Sequence, residues 1–157
     1  MGFVHHSNYV RYYETARTEM LRELGMTYPQ LEAQGIMLPV IDVQSRYVSP
    51  AFDDDLLTVR VTLAEMPKVK MRFDYEVFRE NGERINAGSV TLAFMNAATR
   101  RPVGLPARFW SGWSLIFSRA DRFRAARAVK RDGRRRYGRS FRACLCGRAP
   151  AVRLTLQ

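Results

Sequence analysis

Apolar and aromatic residues recur at positions 9, 12, 13, 16, 20, 21 and 24. Steps of three and four place them on one stripe of an amphipathic helix of about 17 residues. Ser7 or Asn8 offers an N-cap oxygen for the orphan N–H groups, and Gly25 stands where a helix commonly ends in the left-handed region. The pattern thus predicts a helix from about Asn8 to Leu24, with Tyr12, Ala16, Met20 and Leu24 buried. Glu14 with Arg17, and Glu19 with Arg22, are spaced as surface ion pairs. Thr27 with Gln30 reads as a capping box for a second, short helix that Gly35 ends.

Beyond Gly35 the period changes to two. Val40, Asp42, Gln44 and Arg46 alternate with Ile41, Val43, Ser45 and Tyr47. Ser49-Pro50 and Asp53-Asp54-Asp55 mark a turn, and Leu57, Val59, Val61 and Leu63 share one face of a second strand. After Pro67, the residues Val69, Met71, Phe73, Tyr75 and Val77 alternate with Lys68, Lys70, Arg72, Asp74 and Glu76. Asn81-Gly82 is a two-residue hairpin signal, and a last strand runs from about Arg84 to Met95. Tight connections predict antiparallel neighbours. One long helix on one curved antiparallel sheet is an α+β architecture. The helix stripe is wide enough to call for more than four short strands, the rest coming from a partner chain or from sequence upstream.

The pattern stops near Phe109, and so does the balance of charge. Residues 1–109 hold 13 basic and 13 acidic residues, whereas 110–157 hold 13 basic residues against Asp121 and Asp132, so the whole net charge of +11 belongs to the tail. The basic pI therefore describes an appendage and does not make the folded part a nucleic-acid binder. Residues 1–109 are read as one domain and 110–157 as an Arg-rich tail. A disordered segment, a short amphipathic helix over about Ser114–Val129, and a patch for nucleic acid or an anionic membrane all fit the tail. So does a shifted reading frame of GC-rich DNA.

Several chemistries are excluded at this stage. Cys144 and Cys146 are the only cysteines, too few for a disulfide framework and poorly placed for a metal site. No run of about 18 apolar residues occurs, and Met1 to Asn8 lacks the features of a signal peptide, so the expected compartment is the cytoplasm. Three consecutive acids at Asp53–Asp55 read as a solvated turn. No Gly-rich phosphate loop, zinc pattern or Ser-His-Asp arrangement is present, and no cofactor is expected. His5 and His6 remain, directly before the helix. They are either loop residues or part of a site in which the N–H groups of the helix start polarise a carbonyl.

The stretch Gly2-Phe3-Val4-His5-His6-Ser7-Asn8-Tyr9, followed by Tyr12-Tyr13-Glu14-Thr15-Ala16-Arg17, resembles the hotdog-fold acyl-CoA thioesterases of the 4-hydroxybenzoyl-CoA and Tol-Pal-associated type. Gly2, Val4, Tyr9, Glu14 and Arg17 match the family's signature. Gly35-Ile36-Met37-Leu38-Pro39-Val40 and Thr99-Arg100-Arg101-Pro102 resemble family segments further on, and the likeness ends at about residue 109. It implies an antiparallel sheet wrapped around one long central helix, hydrolysis of a thioester to a free acid and CoA, and a homodimer or homotetramer with continuous sheets. It also implies that His6 occupies the position whose backbone N–H polarises the thioester carbonyl, with Gly2, Val4, Asn8 and Tyr9 around it.

The family's catalytic aspartate falls two positions before Met1, where this chain has no residue, and the strand preceding it is missing as well. The expectation is therefore a hotdog domain shortened before its aspartate and impaired in hydrolysis, with Glu14 as the remaining carboxylate to consider. Lys68, Lys70, Arg72, Arg100 and Arg101 are candidates for the nucleotide phosphates of CoA, by charge and donor count, or else simply solvated. The competing function is a non-catalytic acyl-binding or interaction protein whose basic tail contacts anionic polymers or membranes.

Overall fold

The computed structural model describes residues 2–52, 55–63, 65–107 and 109, and the backbone of Arg142–Ala143 and Ala151–Leu156. Helix α1 (His6–Glu23) is followed by α2 (Tyr28–Glu32) and the strands β1 (Ile36–Met37), β2 (Val40–Tyr47), β3 (Leu57–Leu63), β4 (Lys70–Arg79), β5 (Arg84–Ala93), β6 (Met95–Asn96), β7 (Arg142–Ala143) and β8 (Ala151–Leu156). The main sheet is antiparallel, with strand order β2-β5-β4-β3-β8-β7, and β1 pairs with β6 in a small second sheet. Among the described residues no helix is long and apolar enough to cross a membrane.

Helix α1 starts earlier than expected. The cap is His5, in extended conformation, and its ring nitrogen takes the Ser7 N–H, so Ser7 and Asn8 lie inside the helix. Tyr9, Tyr13, Ala16, Met20 and Leu21 form the buried stripe, with Tyr12 and Leu24 half-buried at its margin. Two of the four side chains expected to be buried therefore sit at the border of the core. The Glu19–Arg22 pair forms at 2.6 Å. Glu14 and Arg17 do not form the surface pair their spacing predicts. Arg17 turns inward, 5% exposed, and its Nε donates to the Tyr28 hydroxyl at 2.9 Å. That contact ties α2 to α1, because the Arg17 stem lies along the apolar stripe and its head needs a buried acceptor. Gly25, with φ of 73°, follows the helix, and Thr27 with Gln30 forms the expected capping box, Gln30 Oε1 accepting the Thr27 N–H at 3.0 Å.

The four long strands are where the period-two pattern puts them, but their order is not sequential. Strand β2 does not pair with β3. It crosses over and pairs with β5 from Val40↔Leu92 to Tyr47↔Asn86. The short connection between β2 and β3 therefore runs over the sheet end. The β4–β5 hairpin is at Asn81-Gly82, but its loop has four residues, 80–83, closed by Arg79 N–H to the Glu83 carbonyl. A register shift between Val77 and Phe78 accounts for the difference. The last strand breaks at Phe94, and Met95–Asn96 turns away to join Ile36–Met37, which alternation over two residues could not reveal.

The core lies between α1 and the inner face of the sheet. Leu57, Val59, Val61 and Leu63 of β3 are buried, as are Met71, Phe73, Tyr75 and Val77 of β4, and Ile85, Val90 and Leu92 of β5. Helix α1 packs against β3 and β8, so part of the extra cover comes from within residues 110–157 and not only from a partner or from upstream sequence as expected, because β8 adds a strand to the open edge of β3. The other structure expected of the tail, including the helix over 114–129, falls outside the described residues.

Candidate functional site

The beginning of the chain and the start of α1 form one cradle against the β2–β3 crossover. Gly2 has φ of 67°, a left-handed conformation that glycine adopts without a Cβ penalty. Phe3 bridges Phe52, with ring centroids 5.3 Å apart, and the Val4 N–H donates to the Ala51 carbonyl at 2.9 Å. The chain then turns into the helix. The Asn8 N–H reaches the His5 carbonyl at 3.0 Å, and the Ser7 N–H reaches His5 Nδ1 at 3.4 Å. The His6 N–H has no acceptor among the described residues. As the first helical residue, His6 has no intrahelical partner for it, and the positive end of the helix dipole lies behind it. The His5 and His6 rings lie 4.0 Å apart, tilted to one another, and are exposed.

Behind this start lies a wall of tyrosines. Tyr9 is buried, edge-on to Tyr47 at 5.2 Å and to Tyr12 at 5.9 Å. Burial pushes its hydroxyl above the usual tyrosine value, so the ring is a neutral wall rather than a base. One turn further, the Tyr13 hydroxyl donates to Asn86 Oδ1 and lies 3.1 Å from Ser45 Oγ, while Asn86 Nδ2 donates to Ser45 Oγ at 3.0 Å. Tyr13 also stacks on Tyr75 at 4.3 Å. This closed polar set joins α1 to β2 and β5. A Cβ at Gly88 would lie 2.4 Å from the Gln44 carbonyl and 2.6 Å from the Tyr13 hydroxyl, so the glycine makes room for it.

The fold thus gathers Gly2, Val4, His6, Asn8 and Tyr9 at one place. Glu14 is not among them. It is exposed and eight residues further along the helix, about 12 Å by the helical rise. The cations form a separate group. Lys68 and Lys70 lie at the start of β4, and Arg100 and Arg101 lie in the turn after β6. Backbone bonds from Phe94 N–H to the Val69 carbonyl and from Leu105 N–H to the Lys68 carbonyl set the two segments side by side. All four are exposed, as is Arg72, which pairs with Asp74 at 3.1 Å. A cleft of about 270 Å³ opens beside α2, lined by Tyr28, Leu31, Glu32, Ile36, Met37, Leu38 and Pro39. Asp53 and Asp54 fall outside the described residues. Asp55 accepts from the Phe52 N–H and from Arg79 Nε, a structural use of its carboxylate. Among the described residues no His, Cys, Asp and Glu cluster could hold a metal ion.

Sequence reasoning passed over Tyr47, Ala51, Ser45 and Asn86. Alternation marks Ser45 and Tyr47 only as one face of a strand. Asn86 leaves a trace, since it interrupts an apolar face, which calls for a buried partner.

A long helix on an antiparallel sheet, with the helix start exposed, is the hotdog architecture, and the comparisons agree. The model of the thioesterase superfamily matches residues 1–86. The chain belongs to that superfamily. The acyl-CoA thioesterase YbgC of Haemophilus influenzae is 31% identical, over 67% of this chain and 77% of its own length. An esterase predicted in Aquifex aeolicus is 39% identical over 80 residues, and there the chain spans only 62% of the relative's length. The structure of the DHNA-CoA thioesterase from Staphylococcus aureus superposes with a TM-score of 0.67 at 30% identity, covering 76% of this chain and 79% of that one.

Proposed function

We propose that this chain is an acyl-CoA thioesterase that hydrolyses the thioester to a free acid and CoA, and that the start of α1 is its carbonyl-polarising element. The observation that carries the reading is the His6 N–H, a helix-end donor without a protein acceptor among the described residues. It stands at the front of a cradle that also holds Gly2, Val4, Asn8 and Tyr9. A donor there gains strength as the carbonyl oxygen becomes an oxyanion, so it favours the transition state over the bound thioester. Tyr9 and Asn8 shape the pocket. Lys68, Lys70, Arg100 and Arg101 supply charge for the phosphates of CoA, with Arg72 shared with Asp74. Glu14 is the carboxylate to test for activating water, about 12 Å along the helix from His6.

A second copy is proposed to pair along β2. That strand's outer edge has no partner among the described residues, and Val40, Ile41, Val43 and Tyr47 are each nearly half exposed on it. An open apolar edge is a template for another strand, and a pair formed there would make the two sheets continuous. Residues 1–109 are proposed as the catalytic domain, since every candidate site residue lies within them, with β8 of the tail pairing along β3. The proposed compartment is the cytoplasm.

The decisive substitution is His6→Pro. Proline at the first helical position keeps the helix and removes the N–H together with the imidazole, and His6→Ala, which removes the imidazole alone, is its control. Release of CoA from short-chain, long-chain and benzoyl-CoA substrates should fall by about 10²–10³-fold in that variant, with His6→Ala falling less because the N–H remains. Wild-type turnover by His6→Pro would remove the helix start from the mechanism. Glu14→Gln, assayed alongside, should leave most of the activity.

A further inference from the structure

We infer that Tyr47 is a positioning residue for the start of α1, through which the free edge strand of the sheet controls the site; the inference rests on the thioesterase reading above. Tyr47 is the last paired residue of β2, opposite Asn86, and its hydroxyl donates to the His6 carbonyl at 3.1 Å. Its ring meets the buried Tyr9 edge-on. One side chain therefore grips the helix at its first turn in two places.

The grip reaches the reacting end through the geometry of the peptide unit. A peptide is planar, so holding the His6 carbonyl also holds the Ser7 N–H of the same plane. The preceding plane contains the His6 N–H and the His5 carbonyl, and the Asn8 N–H holds that carbonyl at 3.0 Å. Two successive planes are thereby fixed, and the direction of the His6 N–H follows from both. A carbonyl has two lone pairs, so the Tyr47 hydroxyl can share the His6 oxygen with the helix's own bond. The hydroxyl is a dispensable luxury for packing, since Tyr47 is about half exposed. Its bond makes sense as a restraint on orientation.

The same crossover supplies the rest of the cradle. Four residues after Tyr47, the Ala51 carbonyl takes the Val4 N–H, and Phe52 meets Phe3. Arg79 fastens this segment from the hairpin side. Its guanidinium donates to the Pro50 carbonyl and to Asp55 at 3.1 Å, and lies over the Phe52 ring at 5.6 Å. Residues 47–52 thus carry both sides of the loop that leads into the helix. Because Tyr47 belongs to β2, whatever orders that edge also orders the helix start.

The experiment compares the full chain with Tyr47→Phe and Tyr47→Ala. Phenylalanine keeps the ring against Tyr9 and deletes only the hydroxyl. For a single neutral hydrogen bond the expected loss in kcat is about 2- to 10-fold, with KM and the urea midpoint held at the wild-type values. Tyr47→Ala should lose more. Amide exchange at Ser7 and Asn8 should quicken in Tyr47→Phe by a similar factor while the amides of β4 stay as they were. Wild-type kcat in Tyr47→Phe overturns the inference, whether or not exchange changes. An equal rise in KM and fall in stability would overturn it too, since that marks a merely structural role. Failure of the unmodified chain to bind acyl-CoA counts against the thioesterase reading instead; where turnover of the shortened chain is too slow to compare, the exchange measurement decides the hold of Tyr47 on the helix start by itself.

Discussion

Strands β2 and β3 look alike as sequence and differ in nearly everything else. Both alternate apolar and polar residues over seven or eight positions, and they lie on either side of the β5–β4 pair. Every second residue of β3 is fully buried, α1 packs on it, and β8 pairs along its outer edge from Leu57↔Leu156 to Thr62↔Ala151. Strand β2 has no fully buried residue. Its link to α1 is made by two hydroxyl contacts, Ser45 with Tyr13 and Tyr47 with His6, and by the Tyr47 ring edge-on to Tyr9. One strand is held by close packing and the other by a few directed polar contacts. Packing is strong, non-directional and costly to disturb, whereas hydroxyl contacts are weak but fix orientation. The difference suits β3 to stability and β2 to the roles proposed for it at the helix start and between copies.

Substitutions can break this contrast or sharpen it. The largest expected effect is on the packed side: Leu63→Ala, at a wholly buried site, should cost about 2–5 kcal/mol. Urea denaturation followed by circular dichroism would measure it, and a cost under about 1 kcal/mol would show that β3 is not core. Next comes the polar seam. Asn86→Ala leaves the buried Tyr13 hydroxyl without its principal acceptor and should cost about 1–3 kcal/mol. Gly88→Ala tests the same seam by overpacking, since its new Cβ would meet the Gln44 carbonyl, and about 1–3 kcal/mol is again expected. If both changes proved silent, the seam would be free to rearrange and the tie between α1 and β2 would be loose.

The smallest effect on monomer stability is expected on β2. Val43→Asp should change the unfolding free energy by no more than about 0.5 kcal/mol, because Val43 is exposed. Its value lies in a second readout. Sedimentation of the variant should shift toward the single chain if a second copy pairs along β2, and unchanged sedimentation would send the interface elsewhere. A large loss of stability together with unchanged sedimentation would reverse the assignment and make β2 part of the core.

The helix stripe, the four long strands, the hairpin at Asn81-Gly82 and the residues that gather at the helix start were all legible in the chain, as was the family. These are local matters. The period of the apolar residues follows from backbone geometry, and caps and turns follow from the conformations that a few neighbouring residues allow. Family likeness is carried by short runs such as Gly2 to Tyr9. Where Arg17 points was not legible, because a spacing of three to Glu14 says the two can meet and nothing about a better acceptor at Tyr28. Nor was the cap at His5, since its ring nitrogen competes with oxygens two and three residues on.

Three things belong to the tertiary structure alone. Strand order is one: β2 skips past β3 to pair with β5, because a connection of nine residues is long enough to cross the sheet end as well as to turn back. Burial is another, since alternation defines two faces of a strand but not which face another element covers. The grip of Tyr47 on His6, across 41 positions of sequence, is the third. The chain by itself determined its local elements and its family, because those depend on near neighbours. Order, cover and long-range polar contacts were decided in three dimensions, because they depend on which surfaces remain to be buried after the local elements have formed.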